Sequence, residues 1–175
     1  MFGDPTARLQ GRMSLNPLRH LDPLGTIALF IAGFGWGKPV PVNPYNLKNP
    51  RQDNAFISIA GPIANFLAAA ILAIPLKYFG ASMPFAVSFV LTITVEINLV
   101  LMVFNLLPIP PLDGSKVLYA LLPVRAHHFI DLMERYGALF LLLIIIIDRS
   151  SNISILGAIF RPAIDYLKAI IFFST

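Results

Sequence analysis

Asn105-Leu106-Leu107-Pro108-Ile109-Pro110-Pro111-Leu112-Asp113-Gly114 closes a long apolar run and opens a polar one. Leu91 to Leu107 reads as a buried helix, and Pro108, Pro110 and Pro111 remove backbone donors and clash with preceding carbonyls. The helix must therefore stop or kink near Leu107. Asp113 follows on irregular backbone close to membrane depth, where lipid tolerates such backbone only under a cover of protein or water. Two readings stand. Asp113 is the N-cap of a short helix from Gly114 to Leu122, or it is a metal ligand; spacing alone favours the cap.

Composition narrows the class. Hydrophobic residues make up 57% of the 175 positions and charged residues 13%, with a mean hydropathy of +0.75. Such a chain is expected to be an all-α integral membrane protein in contact with the lipid bilayer. With no cysteine, disulfides, thiolate metal sites and a cysteine nucleophile are excluded. The net charge of +4 is dispersed among apolar blocks, which gives no support to nucleic-acid binding. No cleavable leader is expected, because Gly3, Asp4, Pro5 and Thr6 come at once.

Working outward, Ala55 to Leu76 and Phe85 to Leu107 are each long enough to span a bilayer. Ala60, Ala64 and Ala68 form a small stripe on the first span, suited to close helix packing, and Pro62 should bend it. Upstream, alternation around Arg12 to Leu15 suggests a strand or hairpin. Leu24 to Gly37, interrupted by Gly25, Gly33, Gly35 and Gly37, is short for a span and reads as re-entrant or interfacial. The proline-rich Lys38 to Asn54 reads as an extended loop. Downstream, Phe129 to Ile147 is a further candidate span. Ile153 to Phe173 is either a terminal span or an interfacial helix. One domain is expected over 1–175, with a loop and re-entrant region at 1–54, core spans at 55–123 and C-terminal helices at 124–175. Basic residues cluster before the first good span and after the second, so that side is expected to be cytoplasmic.

Several ordered stretches carry a family likeness. Asn105 to Pro123, Gly3 to Arg8, Gly11 to Pro23, Gly35 to Pro44 and Ala60 to Asn65 resemble, in order, signatures of the site-2 proteases, the intramembrane zinc metalloproteases of peptidase family M50. The resemblance implies a multi-pass protein, of the prokaryotic cell membrane, that cleaves transmembrane protein or peptide substrates. It implies Asp113 as a zinc ligand, Asn65 and Asn105 as substrate-binding residues, and an accessory role for His20. A zinc hydrolase needs three protein ligands and a base, and in this family an H-E-x-x-H helix supplies two ligands and the base. The three histidines here, His20, His127 and His128, make no such motif. The resemblance therefore implies a form truncated before or within that helix, and a chain that binds no zinc and hydrolyses no peptide by itself.

Other polar residues have plainer readings. His127 and His128 are adjacent, hence on different helix faces, and suit a solvated loop or membrane edge. His20 is equally a turn histidine capped by Asp22. Asn98 lies seven residues before Asn105 and suits a helix-to-helix amide bond. Glu96 matches no functional residue of the family and needs a partner, a proton or an interface. Two alternatives to the protease reading are a non-catalytic membrane scaffold that keeps the substrate groove, and, further off, a small channel using Glu96, Asn98 and Asn105.

Overall fold

A computed structural model describes residues 3–32, 35–150 and 154–172. Gly33 of the short apolar block, and Ile153 and Phe173 at the ends of the last one, lie outside the described residues. The elements are α1 (Thr6–Leu9), α2 (Pro23–Ala32), α3 (Pro50–Phe79), α4 (Phe85–Asn105), α5 (Asp113–Leu121), α6 (His127–Ser150) and α7 (Ile155–Phe172), with short 3-10 turns between some of them. The chain forms two compact units, Met1–Asn54 and Ala55–Thr175.

Among the described residues the fold is all-helical. An isolated antiparallel bridge joins Leu21 to Gly37, and Arg12 to Leu15 form no strand. The expected hairpin is thus corrected: the pairing lies further along the chain, and the reason is Arg12. Its side chain does not alternate outward. It is 8% exposed, donating to the carbonyls of Arg19 and Lys38 and, at 3.1 Å, of Pro39. One guanidinium with a fork of donors can hold several carbonyls at once, so it ties the segment before Leu21 to the one after Gly37.

Other bonds in the N-terminal unit serve the same end. Lys38 N–H donates to the His20 carbonyl at 2.8 Å. The Asp4 carboxylate accepts from Asn43 N–H and Asn46 Nδ2, both at 2.8 Å. These bonds, with those from Thr6, hold the Asp4 carboxyl below the usual carboxylate range, the Asn46 bond contributing most. Helix α2 has 10 residues, about 15 Å at the usual rise, half of a bilayer core.

In the C-terminal unit, α3 and α4 carry out the spanning pattern. α3 starts at Pro50, ahead of the expected Ala55 and at the cost of part of the expected loop, and it continues through Pro62 and Pro75. Pro50–Ser82 and Phe85–Asn105 are the stretches among the described residues long and apolar enough to cross a membrane. Only 22% and 11% of their apolar windows are buried inside the protein. A core helix of a water-soluble domain would be largely covered, so this exposed apolar surface suits lipid. Two polar side chains of α4 are satisfied within the helix: Thr94 Oγ1 donates to Val90 O at 2.7 Å, and Asn98 Nδ2 to Thr94 O at 2.8 Å. The amide of Asn98 thus bonds its own helix, where an interhelical bond was expected.

The core joins three helices. Ala69 and Ala73 of α3 pack with Val95 and Leu99 of α4 and Ile171 of α7. This corrects the expected packing stripe. Ala60 and Ala64 are exposed and Ala68 half-buried, while Ser58, Pro62, Ala69 and Ala73 are buried. At about 3.6 residues per turn the two sets fall on different faces, and four-residue spacing alone does not tell which small face is used.

Candidate metal centre

The sequence brings Asp113 to its place through three close approaches. α4 ends at Asn105, as the prolines require. The chain then turns through Pro108 to Leu112, with a cis peptide between Pro110 and Pro111, and re-enters helix at Asp113. Gly114 makes the first approach. A Cβ there would lie 2.2 Å from the Leu106 carbonyl oxygen and 2.5 Å from that of Leu107. Backbone fills the space a side chain would need, so the new helix starts directly against the end of the old one. Ser115, buried at 3% exposure, adds a 2.7 Å bond from its hydroxyl to the Leu112 carbonyl.

The second approach is Pro110 on Gly137 of α6, where a Cβ would fall 2.7 Å from the proline Cδ. The third is Gly61 of α3, where a Cβ would lie 3.5 Å from Asp113 Oδ2. A short residue in α3 thus faces the carboxylate itself. Asn65, four positions on and therefore on the same face of α3, is half-buried, as is Asn105 at the end of α4.

The capping expectation for Asp113 is overturned. Helix α5 begins at Asp113, Leu112 occupies the cap position, and no side chain caps it. The carboxylate instead lies in the first turn, where the helix dipole favours a negative charge, and it pairs with Lys116 Nζ at 3.4 Å. The spacing of three between Asp113 and Lys116 was readable from sequence. On the same helix, the Tyr119 hydroxyl is pushed above its ordinary pKa by burial and, second, by Glu134.

His20 belongs to the N-terminal unit, where its Nε2–H donates to the Ser14 carbonyl at 2.7 Å. Asp22 does not cap it. Its carboxylate accepts from Gly25 N–H at 2.9 Å, at the start of α2. His127 and His128 are exposed at the start of α6. Among the described residues no group of three or more His, Cys, Asp or Glu could hold a metal. One carboxylate beside a lysine is not a zinc donor set, which needs three protein ligands; these residues do not by themselves fit the metal.

Comparison with known proteins decides the family. The sequence profile of peptidase family M50 matches residues 75–147, from the end of α3 through α5 and most of α6. A Bacillus subtilis protein named "Putative zinc metalloprotease YwhC" is 39% identical over 181 residues, covering 92% of this chain and 83% of that protein. The chain belongs to the site-2 protease family, peptidase family M50. Two mycobacterial proteins named "Putative zinc metalloprotease Rip2" are also similar. The one from Mycobacterium tuberculosis H37Rv is 29% identical over 82% of this chain, and the one from Mycolicibacterium smegmatis is 28% identical over 83%. This M50 chain spans 57% and 58% of the length of those two. No solved structure matches it. Within the profile match lie Asp113, Gly114 and Lys116, together with Pro110 and the Gly137 on which it rests.

Proposed function

We propose that this M50 chain contributes the aspartate ligand and its supporting frame to an intramembrane zinc metalloprotease of a bacterial cell membrane, acting on membrane-protein substrates. The observation that carries the reading is the setting of Asp113. An acid behind a proline-broken apolar helix is seated against Gly61 and fixed by the contact of Gly114 with the Leu106 carbonyl. Lys116 balances its charge over 3.4 Å, in a partly exposed pair that is weak and easily exchanged. A carboxylate held by backbone contacts and only loosely paired is suited to accept a cation. Names of the M50 relatives support zinc as that cation.

The remaining ligands and the base that activates water in such enzymes have no counterpart among the three histidines of the 175 residues. Our reading is that the chain alone neither holds zinc stoichiometrically nor cleaves peptides. Asn65 and Asn105 are assigned to substrate binding and His20 to an accessory role, on the family likeness of their motifs.

The experiment compares purified 175-residue protein with the same protein extended upstream by an H-E-x-x-H helix, in zinc content and in cleavage of a model transmembrane peptide. Only the extended form should bind zinc and cut, and Asp113→Ala should remove the zinc. Stoichiometric zinc and cleavage from the 175 residues alone would overturn the proposal. So would zinc retained by the extended Asp113→Ala protein.

A further inference from the structure

Glu96 stands twelfth of the 21 residues of α4, about 16 Å from its start at the usual rise and so near the middle of a bilayer core. An uncompensated charge at that depth strongly opposes insertion. The structure supplies its partner from 72 positions away: Lys168 Nζ of α7 lies 2.5 Å from Glu96 Oε1. Arg161 and Asp165, one turn apart on α7, line the same recess of about 230 Å³ with Val100 and Ile164. Two acids and two bases share this seam, and its formal charge is zero.

Arg161, Asp165 and Lys168 break the apolar run of helix α7. Its packing tells against a surface location. It runs antiparallel to α4, with Phe104 against Phe160 at 6.3 Å and Glu96 against Lys168. Ile171 is buried between α3 and α4 with Ala69, Ala73, Val95 and Leu99. Lys77, in the last turn of α3, donates to the Phe172 carbonyl at 2.8 Å, so the C-terminal end of α7 lies within a lysine side chain's reach of the C-terminal turn of α3. Its 18 residues reach about 27 Å, close to the thickness of a hydrocarbon core. A helix lying flat on the membrane would leave Glu96 unpaired inside it.

We propose that α7 crosses the membrane beside α4 and that Glu96 is the anchor that lets it do so, by neutralising Lys168 at membrane depth. The role of Glu96 is then to hold a charged helix in the bilayer. It depends on α4 being in the membrane and is independent of any metal at Asp113, which stands on a different helix.

The chain has no cysteine, so single introduced cysteines report without interference. Ser154→Cys marks the start of α7, and a cysteine on a short polar extension after Thr175 marks its far side. Both are labelled with a membrane-impermeant maleimide from either face of vesicles holding the full chain. The two markers should label from opposite faces. Glu96→Leu should move the inserted-to-surface ratio of α7 roughly 100-fold toward the surface, bringing both markers to one face or preventing accumulation. The exchanged pair, Glu96→Lys with Lys168→Glu, and the apolar pair, Glu96→Leu with Lys168→Leu, should both restore opposite-face labelling. Labelling of both markers from one face in the unaltered chain would overturn the proposal. So would unchanged labelling in Glu96→Leu, or failure of both paired variants to restore it.

Discussion

Asp113 and Glu96 are both carboxylates beside a lysine, and they are held in opposite ways. The Asp113 partner is three residues along the same short helix, at 3.4 Å and partly exposed. The Glu96 partner is on another helix, at 2.5 Å and similarly exposed by the protein itself, so the pairs differ in length and connection rather than in burial. In the first case the backbone positions the acid: Gly114 is seated under the Leu106 carbonyl and Gly61 faces the carboxylate. In the second the acid positions the backbone, since the pair joins α4 to α7. A carboxylate fixed by its surroundings is available to a new ligand, whereas one that fixes its surroundings is not.

The sharpest break of this comparison is Gly114→Ala. Its Cβ has no space beside a main-chain oxygen 2.2 Å away, and a loss of about 3 kcal/mol is expected. Thermal unfolding in detergent should show it, and a loss under about 1 kcal/mol would mean that the turn yields and does not fix Asp113. Lys168→Met should cost about 2 kcal/mol, because at the proposed depth it strands Glu96 in hydrocarbon with no water to solvate it. In the N-terminal unit, His20→Ala removes the donor to the Ser14 carbonyl and should cost about 1 kcal/mol. In a zinc-loaded extended protein it should lower peptide cleavage more than zinc content, and equal loss of both would mark His20 as structural.

Lys116→Met should change stability by no more than about 0.5 kcal/mol. A cost equal to that of Lys168→Met would erase the distinction between the two pairs. The smallest effect belongs to Asp4, whose folded pKa is depressed by its bonds to Asn46, Thr6 and Asn43. The sign follows: its contribution is whole above the unfolded value near about 4 and fades as pH falls below it. Protection of the Asn43 amide, measured against its intrinsic exchange rate, should fall in that acid window, and Asp4→Asn should flatten the pH dependence. Equal pH dependence in both proteins would remove Asp4 as its source.

Local features were legible in the sequence. The end of α4 near Leu107 follows from three prolines, and the two long apolar helices follow from hydropathy and length. The Asp113 motif was visible as a string, but its setting was not, because Gly61 and Gly137 meet it only after folding. The same reason hides the partner of Glu96, which is 72 residues distant, and the clamp made by Arg12, whose acceptors are ordinary carbonyls with no sequence signature. The alternation around Arg12 suggested a hairpin because period-two pattern does not reveal a buried cation. The small-residue stripe misled for a related reason: α3 has small residues on more than one face, and only the neighbouring helices choose between them.

The seat of Pro110 against Gly137 makes a one-way stop. Ring carbons resist compression and offer no attraction beyond weak dispersion, so this contact blocks α6 from closing on the proline turn and does little to hold it there. Inward pressure on α6 is therefore passed to the turn that carries Asp113.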